Sequence, residues 1–198
     1  MRASPPHVLA ILATSAALAL STPAALAEEP TASSESPASD TLRPQLQADV
    51  GLSVVLLAFE HPIGRRLAVE VGAGIFGTYF LPWFDLGDDV RGLALGSRLT
   101  WFARPDGRGV YVAGYARGVA VRGDAPDDAG FSGTGDGFGF TTGAVVGWTF
   151  ALTRRLDLRV GAGAQYIRYA LDVDDVPDGR FTTSTPFLGL DAVVGWRL

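Results

Sequence analysis

From residue 45 to the C-terminus the chain alternates with a period of two, over stretches longer than an ordinary strand. In residues 67–80 the odd positions are Leu67, Val69, Val71, Ala73, Ile75, Gly77 and Tyr79, and the even ones include Glu70, Gly72, Gly74 and Thr78. Successive side chains of a strand point to opposite faces, so one face here is apolar and the other small or polar. The same division recurs in four more stretches. Leu93, Leu95, Leu99 and Trp101 alternate with Gly92, Gly96, Arg98 and Thr100; Phe138, Phe140, Val146, Trp148 and Phe150 with Gly139, Thr141, Gly147 and Thr149. Leu156, Leu158, Val160 and Tyr166 alternate with Asp157, Arg159, Gly161 and Gln165; Leu188, Leu190, Val194 and Trp196 with Gly189, Asp191, Gly195 and Arg197. Residues 110–122 divide less sharply, because Tyr111, Tyr115 and Arg117 share a face.

A soluble β-sandwich alternates too, with its large apolar face inward. Two features argue against one. Segments of about ten to sixteen residues exceed the usual five or six and suit a tilted crossing of a bilayer. The second face is rich in Gly and charge, which suits the tight interior of a barrel whose apolar face meets lipid. Closure also satisfies every backbone group, as hydrocarbon requires.

Aromatic residues cluster near segment ends. Phe59, Trp101, Phe102, Tyr111, Trp148, Phe150 and Trp196 fall at one level. Tyr79, Phe80, Trp83, Phe84, Phe138, Phe140, Tyr166, Tyr169, Phe181 and Phe187 fall at the other. Two girdles at the membrane interfaces are the expected arrangement. Connections alternate between short (61–66, 103–108, 152–155) and long (81–89, 123–137, 171–180). The short ones hold Arg65, Arg66, Arg104, Arg108, Arg154 and Arg155, with Asp106 as their acid; the long ones are rich in Asp. Short turns are expected on the periplasmic side and long loops outside. Pro186 is placed at the start of the last strand, since proline lacks the N–H that a central ladder needs.

The first 27 residues read as a secretory signal peptide: Arg2, an apolar stretch through residues 8–20, and Ala25-Leu26-Ala27 as an A-x-A ending. Residues 28–44, rich in Ser, Pro, Ala and acids, read as a flexible periplasmic leader that cannot bury a core. All 25 glycines lie from Gly51 onward, which marks residues 45–198 as the folded domain. The basic residues are all Arg, and their 16 positive charges stand against 21 acids. A net acidic chain without a basic patch argues against nucleic acid. There is no cysteine, so no lipid-anchor thioether, disulfide or thiolate metal site can form.

These segments, the A-x-A leader and the ending Gly195-Trp196-Arg197-Leu198 resemble the small OmpA-like outer-membrane β-barrel superfamily. The resemblance implies an all-β, antiparallel up-and-down barrel of about eight strands, inserted by the barrel-assembly machinery. Such barrels usually end in Phe or Trp; this chain departs from that, with Leu198 last and Trp196 two residues earlier. Seven segments are evident, the first at 45–60, whereas bacterial barrels have even strand numbers. A bend at Gly51, Leu52 and Ser53 would supply the eighth strand from residues 42–50.

Catalytic signals are weak. After Ala27 the only His is His61, next to Glu60 in an expected turn, where it reads as a solvated surface pair. No nucleophile motif accompanies it. The chain is read as no enzyme and without cofactors. Asp172, Asp174, Asp175 and Asp178 could hold a divalent ion, without the spacing of an EF-hand; Asp124, Asp127, Asp128 and Asp136 form a second acidic group. Such loops could bridge through divalent ions to lipopolysaccharide phosphates. In the interior, Glu70 and Arg98 are expected to pair across neighbouring strands, joined by Asp157, Arg159 and Asp191. The primary expectation is a monomeric, non-catalytic outer-membrane barrel with an envelope-structural or surface-interaction role, in contact with outer-membrane lipid and lipopolysaccharide. A narrow channel or carrier for small apolar molecules is the alternative, and a lipid-modifying enzyme the third reading.

Overall fold

The computed structural model describes residues 41–77, 90–124, 133–173 and 179–198. The signal-peptide segment and most of the leader lie outside them. Eight strands run β1 (Gln45–Gly51), β2 (Val54–Pro62), β3 (Leu67–Gly77), β4 (Arg91–Phe102), β5 (Gly109–Asp124), β6 (Thr134–Ala151), β7 (Leu156–Val173) and β8 (Arg180–Arg197). Each pairs antiparallel with the next, and β1 also pairs with β8, so the sheet closes into an up-and-down barrel. The first hairpin turns at Leu52 and Ser53, which makes two strands of the 45–60 segment. Its first strand starts at Gln45; Leu42 lies beneath it, packed on Phe102, Tyr111 and their neighbours.

The register carries Gln45 to Glu60, Glu70, Arg98, Tyr115, Gly143, Gln165 and Phe187 in turn. Gln45 itself pairs with Arg197, ten residues further along β8 than Phe187. This stagger tilts the strands against the barrel axis. Both barrel ends of the chain meet beside the short turns: Arg197 pairs with Gln45, and Leu198 N–H donates to the Pro44 carbonyl at 3.0 Å. Local chemistry closes those turns. Gly107 and Gly109 take φ of 75° and 78°, which side-chain-bearing residues resist, on either side of Arg108, whose N–H donates to Asp106 Oδ1 at 3.1 Å. Thr153 Oγ1 accepts from the N–H groups of Arg155 and Leu156.

The wall is uneven. β1 and β2 have 7 and 9 residues, whereas β6, β7 and β8 have 18 each. Pairing of β1 with β8 ends at Gly51 and Asp191, so the stretch of β8 from Arg180 to Leu190 rises beyond its β1 neighbour. Pro186 lies in this stretch, opposite Tyr166, and not at a strand start as expected. Proline is tolerated there because that edge of β8 has no β1 ladder to complete. Two long connections are shorter than expected: β5 runs to Asp124, β6 starts at Thr134, β7 runs to Val173 and β8 starts at Arg180. The short turn expected at 61–66 contracts to Ile63–Arg66, since His61 and Pro62 extend β2.

The apolar stripe faces outward on every strand. Leu57, Leu93, Leu95 and Phe138 are 76%, 68%, 64% and 79% exposed. At the short-turn end Trp196, Leu46 and Phe59 are neighbours on three successive strands, and Trp101, Trp148 and Phe150 lie on the same outer face. Five residues assigned to the girdles turn inward instead: Phe102 and Tyr111 are fully buried, Tyr169 nearly so, and Phe181 and Phe187 are partly buried on the same inner face. Tyr79, Phe80, Trp83 and Phe84 lie outside the described residues. The inner face is also less polar than its sequence reading. Toward the long-loop end it carries a cluster that includes Val54, Leu56, Phe76, Val121, Ile167, Tyr169 and Leu171, with Phe181 and Phe187 against it. The charged layer lies nearer the short turns.

Candidate functional site

β1 presents Gln45, Gln47 and Asp49 to the lumen, all buried. Facing them from the other walls are Glu60, Glu70, Arg98, Arg117, Asp157, Arg159 and Asp191, each less than a tenth exposed. Their order along the barrel follows from alternation within strands and from the stagger between them.

Two arginine centres organise this layer. Arg159 donates from Nη1 and Nη2 to the two carboxylate oxygens of Glu60 at 2.6 and 2.7 Å, and from Nη2 to Gln45 Oε1 at 3.3 Å. Its guanidinium lies 4.9 Å over the Phe102 ring. Gln45 in turn donates to Asp157, which receives two further bonds from Arg197 at 2.6 and 2.9 Å. In the second centre Arg98 donates to Asp191 and, at 3.5 Å, to Asp49. Arg117 donates to Asp49 at 2.6 Å and stacks 4.1 Å over Tyr115, and Tyr111 hydroxyl donates to Asp191 at 2.7 Å. Small residues make the room: a Cβ on Gly147 or Gly161 would lie 2.6 Å from Tyr111 ring or hydroxyl atoms.

The five interior charges named from sequence are all in this layer. Glu70 and Arg98 are register neighbours and form an ion pair at 4.0 Å, while the hydrogen bonds of Arg98 go to Asp191 and Asp49. Glu70 Oε2 has no hydrogen-bond partner among the described residues. Asp157 pairs with Arg197, and Arg159 with Glu60. Sequence reading missed Asp49, Glu60, Arg117 and Tyr111 as members. The signal was available in the shared face of Tyr111, Tyr115 and Arg117, and in the alternation Gln45, Gln47, Asp49.

Glu60 and His61 form no surface pair. Glu60 is 1% exposed in the lumen, while His61 is on the outer face, stacked 6.3 Å from the Phe59 ring. Of the acidic loop, Asp172 is on β7, exposed and 3.7 Å from Arg180; Asp174, Asp175 and Asp178 lie outside the described residues. Asp124 accepts from Thr134 at 2.6 Å and Asp136 lies 3.4 Å from Arg122, while Asp127 and Asp128 lie outside. Among the described residues no cluster of three or more His, Cys, Asp or Glu could hold a metal.

No protein-family model and no curated protein matches the sequence. Among solved structures the chain is similar to Neisserial surface protein A (NspA), at 17% identity and a TM-score of 0.37, over 79% of this chain and 95% of that one. The barrel assignment here rests on the strand pairing of this chain itself.

Proposed function

We propose that this chain is an integral outer-membrane barrel with an envelope-structural or surface-interaction role and a lumen closed by its own side chains. The outward apolar stripe carries the membrane reading. Isolated surface leucines are ordinary, but a continuous apolar wall on a soluble monomer is not. A closed barrel of this kind meets the demand of hydrocarbon that no backbone group stay unpaired, and its interior charges are then the ones kept from lipid.

The closed lumen is supported by Arg159 and Glu60, which join β7 to β2 across the interior. About eight strands leave just enough width for side chains to fill. The non-catalytic reading is supported by His61 and Glu60 facing opposite sides of β2. Outer-membrane fractionation with heat-modifiable gel migration tests the placement. Planar-bilayer recording tests the lumen: steps of steady conductance from the unaltered chain would reject a closed barrel and favour the narrow channel.

A further inference from the structure

The outer wall of β3 to β6 is not a plain apolar cylinder. It is indented by a groove of about 860 Å³, within the size of pockets that take one small molecule. Ala73, Gly118 and Ala120 make its floor, and Leu93, Leu95 and Phe138 stand around them. A Cβ on Gly118 would meet no atom within 4 Å, so the indentation is space that the chain itself leaves empty.

Directly above, Arg91 ends the outward stripe of β4, and Arg122 is the outward residue of β5 just before its exposed last residue, Asp124. On β4 the outer face runs Arg91, Leu93, Leu95, and on β5 it runs Arg122, Ala120, Gly118. Arg91 and Arg122 are register partners and both are exposed. Like charges directly opposite on an antiparallel pair repel. Asp136 lies 3.4 Å from Arg122, and Arg91 makes no ion pair among the described residues. Two guanidinium forks side by side fit a phosphate, which accepts from both at once.

We propose that this wall binds one phosphorylated membrane lipid, with its phosphate between Arg91 and Arg122 and an acyl chain in the groove below. The site rests on the membrane reading, and it adds a defined position and chemistry for a lipid contact. The spacing matches an amphiphile, since the two cations are the next outward residues beyond the apolar floor on β4 and β5.

The test uses the full mature chain purified in neutral detergent and observed by native mass spectrometry. The probes are phosphatidylglycerol, diacylglycerol with the same chains, and inorganic phosphate. One phosphatidylglycerol should stay bound under activation that strips diacylglycerol, and inorganic phosphate should not replace it. R91Q/R122Q should weaken retention on the order of tenfold, the loss of charge-assisted bonds to a phosphate. G118L should do the same by filling the groove, with heat-modifiable migration unchanged because the position is open. Equal retention by the Arg variant, or by G118L, overturns the proposal, as does a phosphate-only site. A chain that does not insert into vesicles overturns both readings; one that inserts but shows no preference between the two lipids overturns this one alone.

Discussion

Arg159 and Glu60 lie 99 residues apart in sequence and meet fork to fork in the lumen, at 2.6 and 2.7 Å. Both are buried, so neither charge has water to fall back on. Removing one partner should therefore cost far more than removing both. E60A or R159M alone should destabilise the barrel by about 3–5 kcal/mol, whereas the double change E60M/R159M should recover most of that. The measurement is the urea midpoint of folding into vesicles. A double variant as unstable as the singles would reject the pair as an isolated unit.

Asp191 receives bonds from both Arg98 and the Tyr111 hydroxyl. Y111F deletes a neutral donor to a charged acceptor and should cost about 1.5–3 kcal/mol. Y115F should cost less, about 0.5–1.5 kcal/mol, because its hydroxyl donates to the neutral Gln165. The opposite ranking would mean that Tyr115 anchors the layer.

Glu70 faces Glu60 across β2 and β3, and its Oε2 has no hydrogen-bond partner among the described residues. E70Q should thus leave stability unchanged or raise it. D49N should lower it, since Asp49 accepts from both Arg98 and Arg117. Equal loss from both variants, read as unfolding midpoints, would show that Glu70 is as engaged as Asp49.

Leu57 is 76% exposed on the outer face of β2. If that face meets lipid, L57R should destabilise the barrel by about 2–4 kcal/mol in a bilayer. On a water-facing surface the same change would be close to neutral. A neutral result in vesicles would remove the membrane reading while leaving the barrel intact.

Most of the outward stripe is legible in the amino-acid sequence, because alternation is a property of a strand alone. Leu93, Leu95 and Leu99 face out wherever β4 pairs. The bend at Leu52 and Ser53 is legible from parity, with its strand beginning at Gln45 and not at residue 42. Inward aromatics are less legible. Phe102 and Tyr111 lie near strand ends where a girdle and a lumen both accept a ring, so level alone misassigns them, whereas their parity with Arg98 and Arg117 puts them on the inner face. The ladder rule alone puts Pro186 at a strand start, but the missing ladder beside it comes from where β1 stops.

The sequence by itself determined which residues share a face, the apolar character of one face, and the charge stored on the other. Those follow from a two-residue period that needs no partner. The tertiary structure decided who meets whom: Arg159 with Glu60, Arg98 with Asp191, Arg91 beside Arg122. Closure brings β1 against β8, and a ten-residue stagger sets which rungs share a level, so partners distant in sequence become neighbours only when the sheet closes.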